Sequence, residues 1–169
     1  MTSEGKQCTI ECIDECPNAW QCELFAAGGP DEVNICVPPF LSLCRPCEKN
    51  ADCAANGVDT GDACLVYGPE GNYCGGNCDQ LDCPKGYSCA YAADVAGFKS
   101  YQCKATGQCE CNAWFADQGA KTACFAKNEW GTCPGERQCD ASGLTACSAL
   151  IPAKETCNGK DDDCDGQTD

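Results

Sequence analysis

The sequence predicts a small disulfide-rich fold: irregular, with short β-strands and hairpins, little helix, and several cysteine-stapled subunits in a row. Three observations predict it. The chain holds 22 cysteines in 169 residues, about 13 per cent and above the roughly 8 to 10 per cent that marks a disulfide scaffold. Gly, Pro, Asn and Asp recur every few residues and interrupt helical periodicity, which favours turns and short strands. Large apolar residues are sparse, and the longest apolar stretch, Val33 to Leu43, is broken by Pro38 and Pro39. Crosslinks are therefore expected to substitute for an apolar core, as they do in small secreted modules.

An even cysteine count at this density implies eleven disulfides and an oxidising, secreted or cell-surface address, each bridge contributing roughly 2 to 4 kcal/mol. Zinc is the rival for such a chain, because Cys44-x2-Cys47 has ligand spacing. Histidine is absent, however, and no second Cys-x2-Cys follows at the distance a ribbon or finger needs. No stretch is apolar and long enough to insert into a membrane. Met1 to Lys6 lacks the apolar core of a signal peptide, so the numbering is expected to start inside a longer precursor or on an added Met.

The first unit is placed at residues 1–43, with Cys8, Cys12, Cys16, Cys22 and Cys36. Cys8, Cys12 and Cys16 recur at i, i+4 and i+8, so a two-turn helix could present three sulfurs on one face; a looped segment is an equal reading. Five cysteines cannot close among themselves, so one is expected to pair with the next unit. The second unit, 44–110, holds Cys44, Cys47, Cys53, Cys64, Cys74, Cys78, Cys83, Cys89, Cys103 and Cys109. Its Cys83-Pro-Lys-Gly-Tyr-Ser-Cys89 resembles, over seven residues only, the turn of epidermal-growth-factor-like domains. The resemblance implies a tight stapled turn with Gly86 at positive φ and the tyrosine ring on a disulfide. The third unit, 111–169, holds Cys111, Cys124, Cys133, Cys139, Cys147, Cys157 and Cys164. Trp130, Leu144 and Ile151 are its expected core, with Trp114 and Phe115 over one disulfide.

The net charge is 11 minus 26, or −15, spread as about −5 over each of residues 1–50, 51–110 and 111–169. Nucleic acid and anionic lipid are poor partners for such a surface. Calcium and basic partners fit it; the plainer reading is that the charge keeps a secreted protein in solution.

One motif carries chemistry. From Asp161 the chain reads Asp-Asp-Asp-Cys-Asp-Gly-Gln-Thr-Asp169, with carboxylates at loop positions 1, 3, 5 and 9 and glycine at position 6. That is the front of a calcium loop, in which alternate Asp side chains turn to one side and the glycine lets the backbone reverse. Asp161, Asp163, Asp165 and Asp169, with the Gln167 carbonyl, are the candidate ligands; Asn158 joins them if the Cys157-Asn-Gly turn folds back. The closing glutamate of an EF-hand would fall three residues beyond Asp169, so either the closing ligand lies past Asp169 or a neighbouring segment, another protomer or water supplies it. A solvated acidic tail is the alternative. The run Glu155 to Asp169 is similar to the aspartate-rich metal-binding motif of bacterial secreted and outer-surface proteins grouped as MopE-like. In chemistry it is similar to thrombospondin type 3 calcium repeats. The resemblance covers residues 128–169, including Gly131-Thr-Cys-Pro-Gly-Glu-Arg-Gln-Cys139, and implies a large bacterial surface protein. It implies Asp161, Asp163, Asp165, Gln167 and Asp169 as calcium ligands.

Catalysis is not expected. Without histidine the usual nucleophile triads cannot be built, and no carboxylate pair lies in an apolar setting that would raise one pKa. Cys44-Arg-Pro-Cys47 lacks the strand-to-helix context of a redox pair and reads as structural. Two functions are thus expected: a calcium-stiffened structural module of a surface protein or fibre, with copies joined head to tail through shared ligands, or an adhesion module. In the latter, Trp20, Phe40 and Trp114 would contact a glycan or protein.

Overall fold

The computed structural model describes residues 11–13, 16, 21–26, 32–37, 39–54 and 60–168. Its elements are short, strand-rich and small-sheeted, as the composition requires. Strands β1 (Gln21–Ala26) and β2 (Glu32–Val37), β3 (Cys64–Val66) and β4 (Asn72–Cys74), and β5 (Tyr87–Ala93) and β6 (Lys99–Ala105) form three separate antiparallel pairs. The five-residue helix α1 (Ala113–Asp117) precedes a three-stranded sheet of β7 (Lys121–Lys127), β8 (Thr132–Asp140) and β9 (Gly143–Leu144). No helix among the described residues is long and apolar enough to cross a membrane.

The three pairs share one crosslinking plan. Each places two cysteines directly opposite one another, Cys22↔Cys36, Cys64↔Cys74 and Cys89↔Cys103. In none do the opposed cysteines bond to each other. Each bonds instead to one of two cysteines just upstream: Cys12–Cys22 with Cys16–Cys36, Cys47–Cys64 with Cys53–Cys74, and Cys78–Cys89 with Cys83–Cys103. A two-stranded hairpin is marginal alone in water; two staples to its own leader make each one a closed module. Cys44–Cys109 then closes the span containing the second and third hairpins, a sequence separation of 65.

Sulfur fills much of the interior. Cys47, Cys53, Cys64 and Cys74 form one cluster with Val95 against it; Leu43, Cys78 and Cys103 form another with Phe40, Cys83 and Tyr87. Tyr87 follows Gly86, whose φ of +93° makes the tight turn, and its ring lies on the Cys83–Cys103 cluster as the seven-residue phrase implied. The β5–β6 turn is built by Asp94. Its Oδ1 accepts the amides of Ala96 and Phe98 at 2.9 and 2.8 Å, and its Oδ2 accepts Asn50 Nδ2 at 2.7 Å. Buried Gln102 ties the modules together, donating to the Gly61 carbonyl at 2.8 Å and accepting the Ala63 amide.

In the third unit Asn112 caps α1 by accepting the Phe115 amide at 2.9 Å. Phe115, with Trp114 packed alongside, covers the Cys111–Cys139 bridge. The expected core is otherwise corrected: Trp130 is 47 % and Ile151 81 % exposed, and Leu144 is half-buried. Phe115, Ala120, Thr122, Cys124, Cys133 and Cys139 occupy the interior instead. Disulfides and small side chains already fill the space beneath this sheet, leaving the large apolar groups outside.

Eleven bridges were expected. Ten form among the described residues, with Cys124–Cys147 and Cys133–Cys164 completing the third unit. Cys157 is exposed and unbonded, and Cys8 lies outside the described residues. No described bridge crosses 43/44 or 110/111. Residues 11–13 do not form a helix: Glu11 bridges to Ile35, and the Cys12 amide donates to the Asn34 carbonyl at 2.9 Å. The second and third units pack together without a covalent staple. Buried Thr122 Oγ1 accepts the Asn72 amide at 2.7 Å, and Arg137 pairs with Glu70 at 2.7 Å.

Candidate metal centre

The aspartate loop is held from outside itself. Cys164, at φ +61°, lies between Asp163 and Asp165 and is bonded to Cys133 on β8. The Ala153 amide donates to the Asp162 carbonyl at 2.9 Å. Gly131, in the β7–β8 turn, lies so close to the Asp163 carbonyl that any Cβ there would overlap it.

Within the loop the carboxylates gather backbone amides. Asp161 Oδ1 and Oδ2 accept the amides of Asp165 and Gly166 at 3.1 and 2.9 Å, and Asp163 Oδ1 accepts the Asp165 amide at 3.0 Å. Gly166 takes φ +91°, where other residues are strained, so the glycine at the sixth loop position makes the reversal. Asp165 is taken by Gln167, whose amide and Nε2 donate to its two oxygens at 2.8 and 3.1 Å.

Glu155, absent from the ligand set read from the sequence, comes back over the loop. Its Oε1 accepts the amides of Asp162 and Asp163 at 2.8 and 3.2 Å. Carboxylate oxygens of Glu155, Asp161 and Asp163 lie within 4.8 Å of one another. Oxygens bound to one calcium at about 2.4 Å can be no farther apart than twice that length, so this spread fits ligands of a single hard cation. Three oxygen-only carboxylates are also the donor chemistry that calcium prefers and copper does not.

The other expected ligands fall differently. Asn158 faces away: its Nδ2 donates to Thr156 Oγ1 and Asp162 Oδ2 at 2.9 and 2.8 Å, and its Oδ1 accepts the Lys160 amide. Asp162 is thereby tied to the outer turn, and the Thr156 hydroxyl, with Asn158 and Lys160, holds its carboxyl below the usual carboxylate range. Asp165 and Gln167 pair with each other beside the three-carboxylate group, and Asp169 lies outside the described residues. The signal for Glu155 was legible as an acid six residues before Asp161, but nothing in the spacing said that the intervening turn folds back. The cysteine triplets that also cluster, such as Cys47, Cys53 and Cys74, belong to disulfides, so their sulfurs are not thiolate ligands.

Of the aromatics expected to contact a ligand, Phe40 is half-buried against Gly76. Trp114 is half-buried on Phe115 with ring centroids 5.4 Å apart, and Trp20 lies outside the described residues. Compared with models of known families, with curated proteins and with solved structures, the chain matches none.

Proposed function

We propose that the chain is an extracellular, calcium-stiffened structural module, in which disulfides set the hairpins and a cation orders the C-terminal loop. One observation carries the reading: Glu155 returns to Asp161 and Asp163 and brings three carboxylates within the span of one ion. Their mutual repulsion without a counter-charge is the cost that binding removes. The density of bridges supports an oxidising compartment, and the single-cation geometry supports a role in stiffening, because the ion would join residue 155 to residues 161 and 163.

Hydrogen exchange on the fully oxidised chain tests this. Calcium is expected to raise the thermal midpoint and slow exchange at residues 153–167, with the β3–β6 hairpins unchanged; a chelator should reverse both. Equal protection of that loop with and without calcium would reduce it to a solvated acidic segment.

A further inference from the structure

Strand β5 leaves one edge of its sheet open. Its partner β6 is covered on the far side, where the Cys103 amide donates to the Gly76 carbonyl at 2.7 Å and the Tyr101 carbonyl accepts the Cys78 amide at 3.2 Å. The backbone groups of residues 101 and 103 therefore point away from β5. Opposed residues of an antiparallel pair turn their groups either both inward or both outward. Cys89 and Tyr91, opposite Cys103 and Tyr101, thus point theirs away from β6, and so does Ala93, two residues on. Among the described residues no hydrogen bond reaches the amide or carbonyl of Cys89, Tyr91 or Ala93.

Native edges are guarded by a charge, a proline or a bulge. β5 reads Tyr-Ser-Cys-Ala-Tyr-Ala-Ala in unbroken register and has none of the three. It is the only described strand of five or more residues without a charged side chain, in a chain of net charge −15. The same hairpin exposes aromatic surface: Tyr91 is 63 % and Tyr101 52 % exposed, with ring centroids 5.2 Å apart.

We propose that β5 pairs with β5 of a second copy, antiparallel about a two-fold axis at Tyr91, joining two hairpins into one four-stranded sheet. Residues with outward backbone groups then meet: Tyr91 bonds the second copy's Tyr91, and Cys89 bonds its Ala93. Tyr101, Tyr91 and their counterparts form one row of rings across the sheet, and the small Cys89 and Ala93 lie opposite one another. Charge selects a copy as well. The Ala93 end of the hairpin exposes Lys99, while Asp94 is buried in its turn. At the Cys89 end, exposed Asp79 and Asp82 adjoin the Cys78–Cys89 and Cys83–Cys103 bridges, with exposed Lys85 beside them. Lys104 is drawn to the Tyr67 ring on the other face. Two acids against one lysine leave that end at −1, and the two-fold lays the Lys99 end of each copy against it.

Sedimentation equilibrium of the oxidised full chain tests the pairing, in chelator so that calcium has no bearing on the result. The chain should form dimers and nothing larger, because a two-fold contact closes. The dissociation constant should be on the order of 10⁻⁴ M, as suits an interface at the small end of the range. Tyr91→Lys and Tyr91→Glu should each weaken dimerisation at least about tenfold, since position 91 then faces its own charge. An equimolar mixture of the two should restore a one-to-one dimer, which misfolded variants could not do. Ile151→Ser, at an exposed apolar side chain of the third unit, should leave dimerisation unchanged. A chain still monomeric at about 1 mM, growth beyond the dimer, a mixture that stays monomeric, or Tyr91→Lys dimerising like the wild type would overturn the proposal.

Discussion

Removing the Cys133–Cys164 bridge, as Cys133→Ser with Cys164→Ser, should loosen the acidic loop and weaken calcium binding together. The bridge closes a sequence separation of 31, for which the loop-entropy relation gives about 12 cal/mol/K, or ~3.7 kcal/mol at 25 °C. Were the whole of that charged to ordering the loop at the moment of binding, calcium affinity would fall by about 500-fold. The Ala153 to Asp162 hydrogen bond and the close approach of Gly131 to the Asp163 carbonyl remain in the variant and restrain the loop. The expected loss is therefore between about 10- and 500-fold. Calcium calorimetry on both proteins measures the affinity, and hydrogen exchange at residues 161–166 measures the ordering. Unchanged affinity together with faster exchange would refute the coupling of staple to site; unchanged exchange would show that the bridge does not restrain the loop.

Gly131→Ala places a Cβ against the Asp163 carbonyl, a backbone atom that cannot turn aside, and should cost about 1–3 kcal/mol in chemical denaturation; an unshifted midpoint would contradict the packing. Thr122→Val removes the buried acceptor of the Asn72 amide across the seam and should cost about 1–3 kcal/mol, where Thr122→Ser should cost less. Burial pushes the Asp94 carboxyl up, but hydrogen bonds from Asn50 and from the amides of Phe98, Ala96 and Gly97 outweigh it and hold the group below its ordinary value. A depressed folded-state pKa gives stability that is present above the unfolded value near 4 and is lost as pH falls through the folded one. Acid titration of stability should thus be flatter in Asp94→Asn than in the wild type below pH ~4.

Cysteine density and turn residues were enough to predict a stapled, helix-poor fold of short strands, because both act locally. The hairpin plan was also present in the spacing: Cys12-x3-Cys-x5-Cys-x13-Cys36 and Cys78-x4-Cys-x5-Cys-x13-Cys103 are nearly the same phrase. It is obscured because the middle copy, Cys47-x5-Cys-x10-Cys-x9-Cys74, has different loops. Connectivity itself does not follow from spacing; it follows from strand register, which sets Cys64 opposite Cys74 yet sends each to its own upstream partner. Trp130 and Ile151 misled for a related reason. Hydrophobicity marks what can be buried, whereas the bridges had already filled the interior. At the acidic loop, alternation and Gly166 gave Asp161 and Asp163, but Glu155 required the fold-back that its own hydrogen bonds to the Asp162 and Asp163 amides secure.

Glu155 is accordingly where the calcium reading is most exposed. Glu155→Gln keeps an oxygen to accept those two amides while removing the charge, so the loop should persist and the metal should leave. Calorimetry of calcium into chelator-treated protein is the direct measurement. The account predicts a dissociation constant between about 10⁻⁵ and 10⁻³ M for the wild type and binding weakened at least about tenfold in the variant. No heat in the wild type, or equal affinity in both, would contradict it.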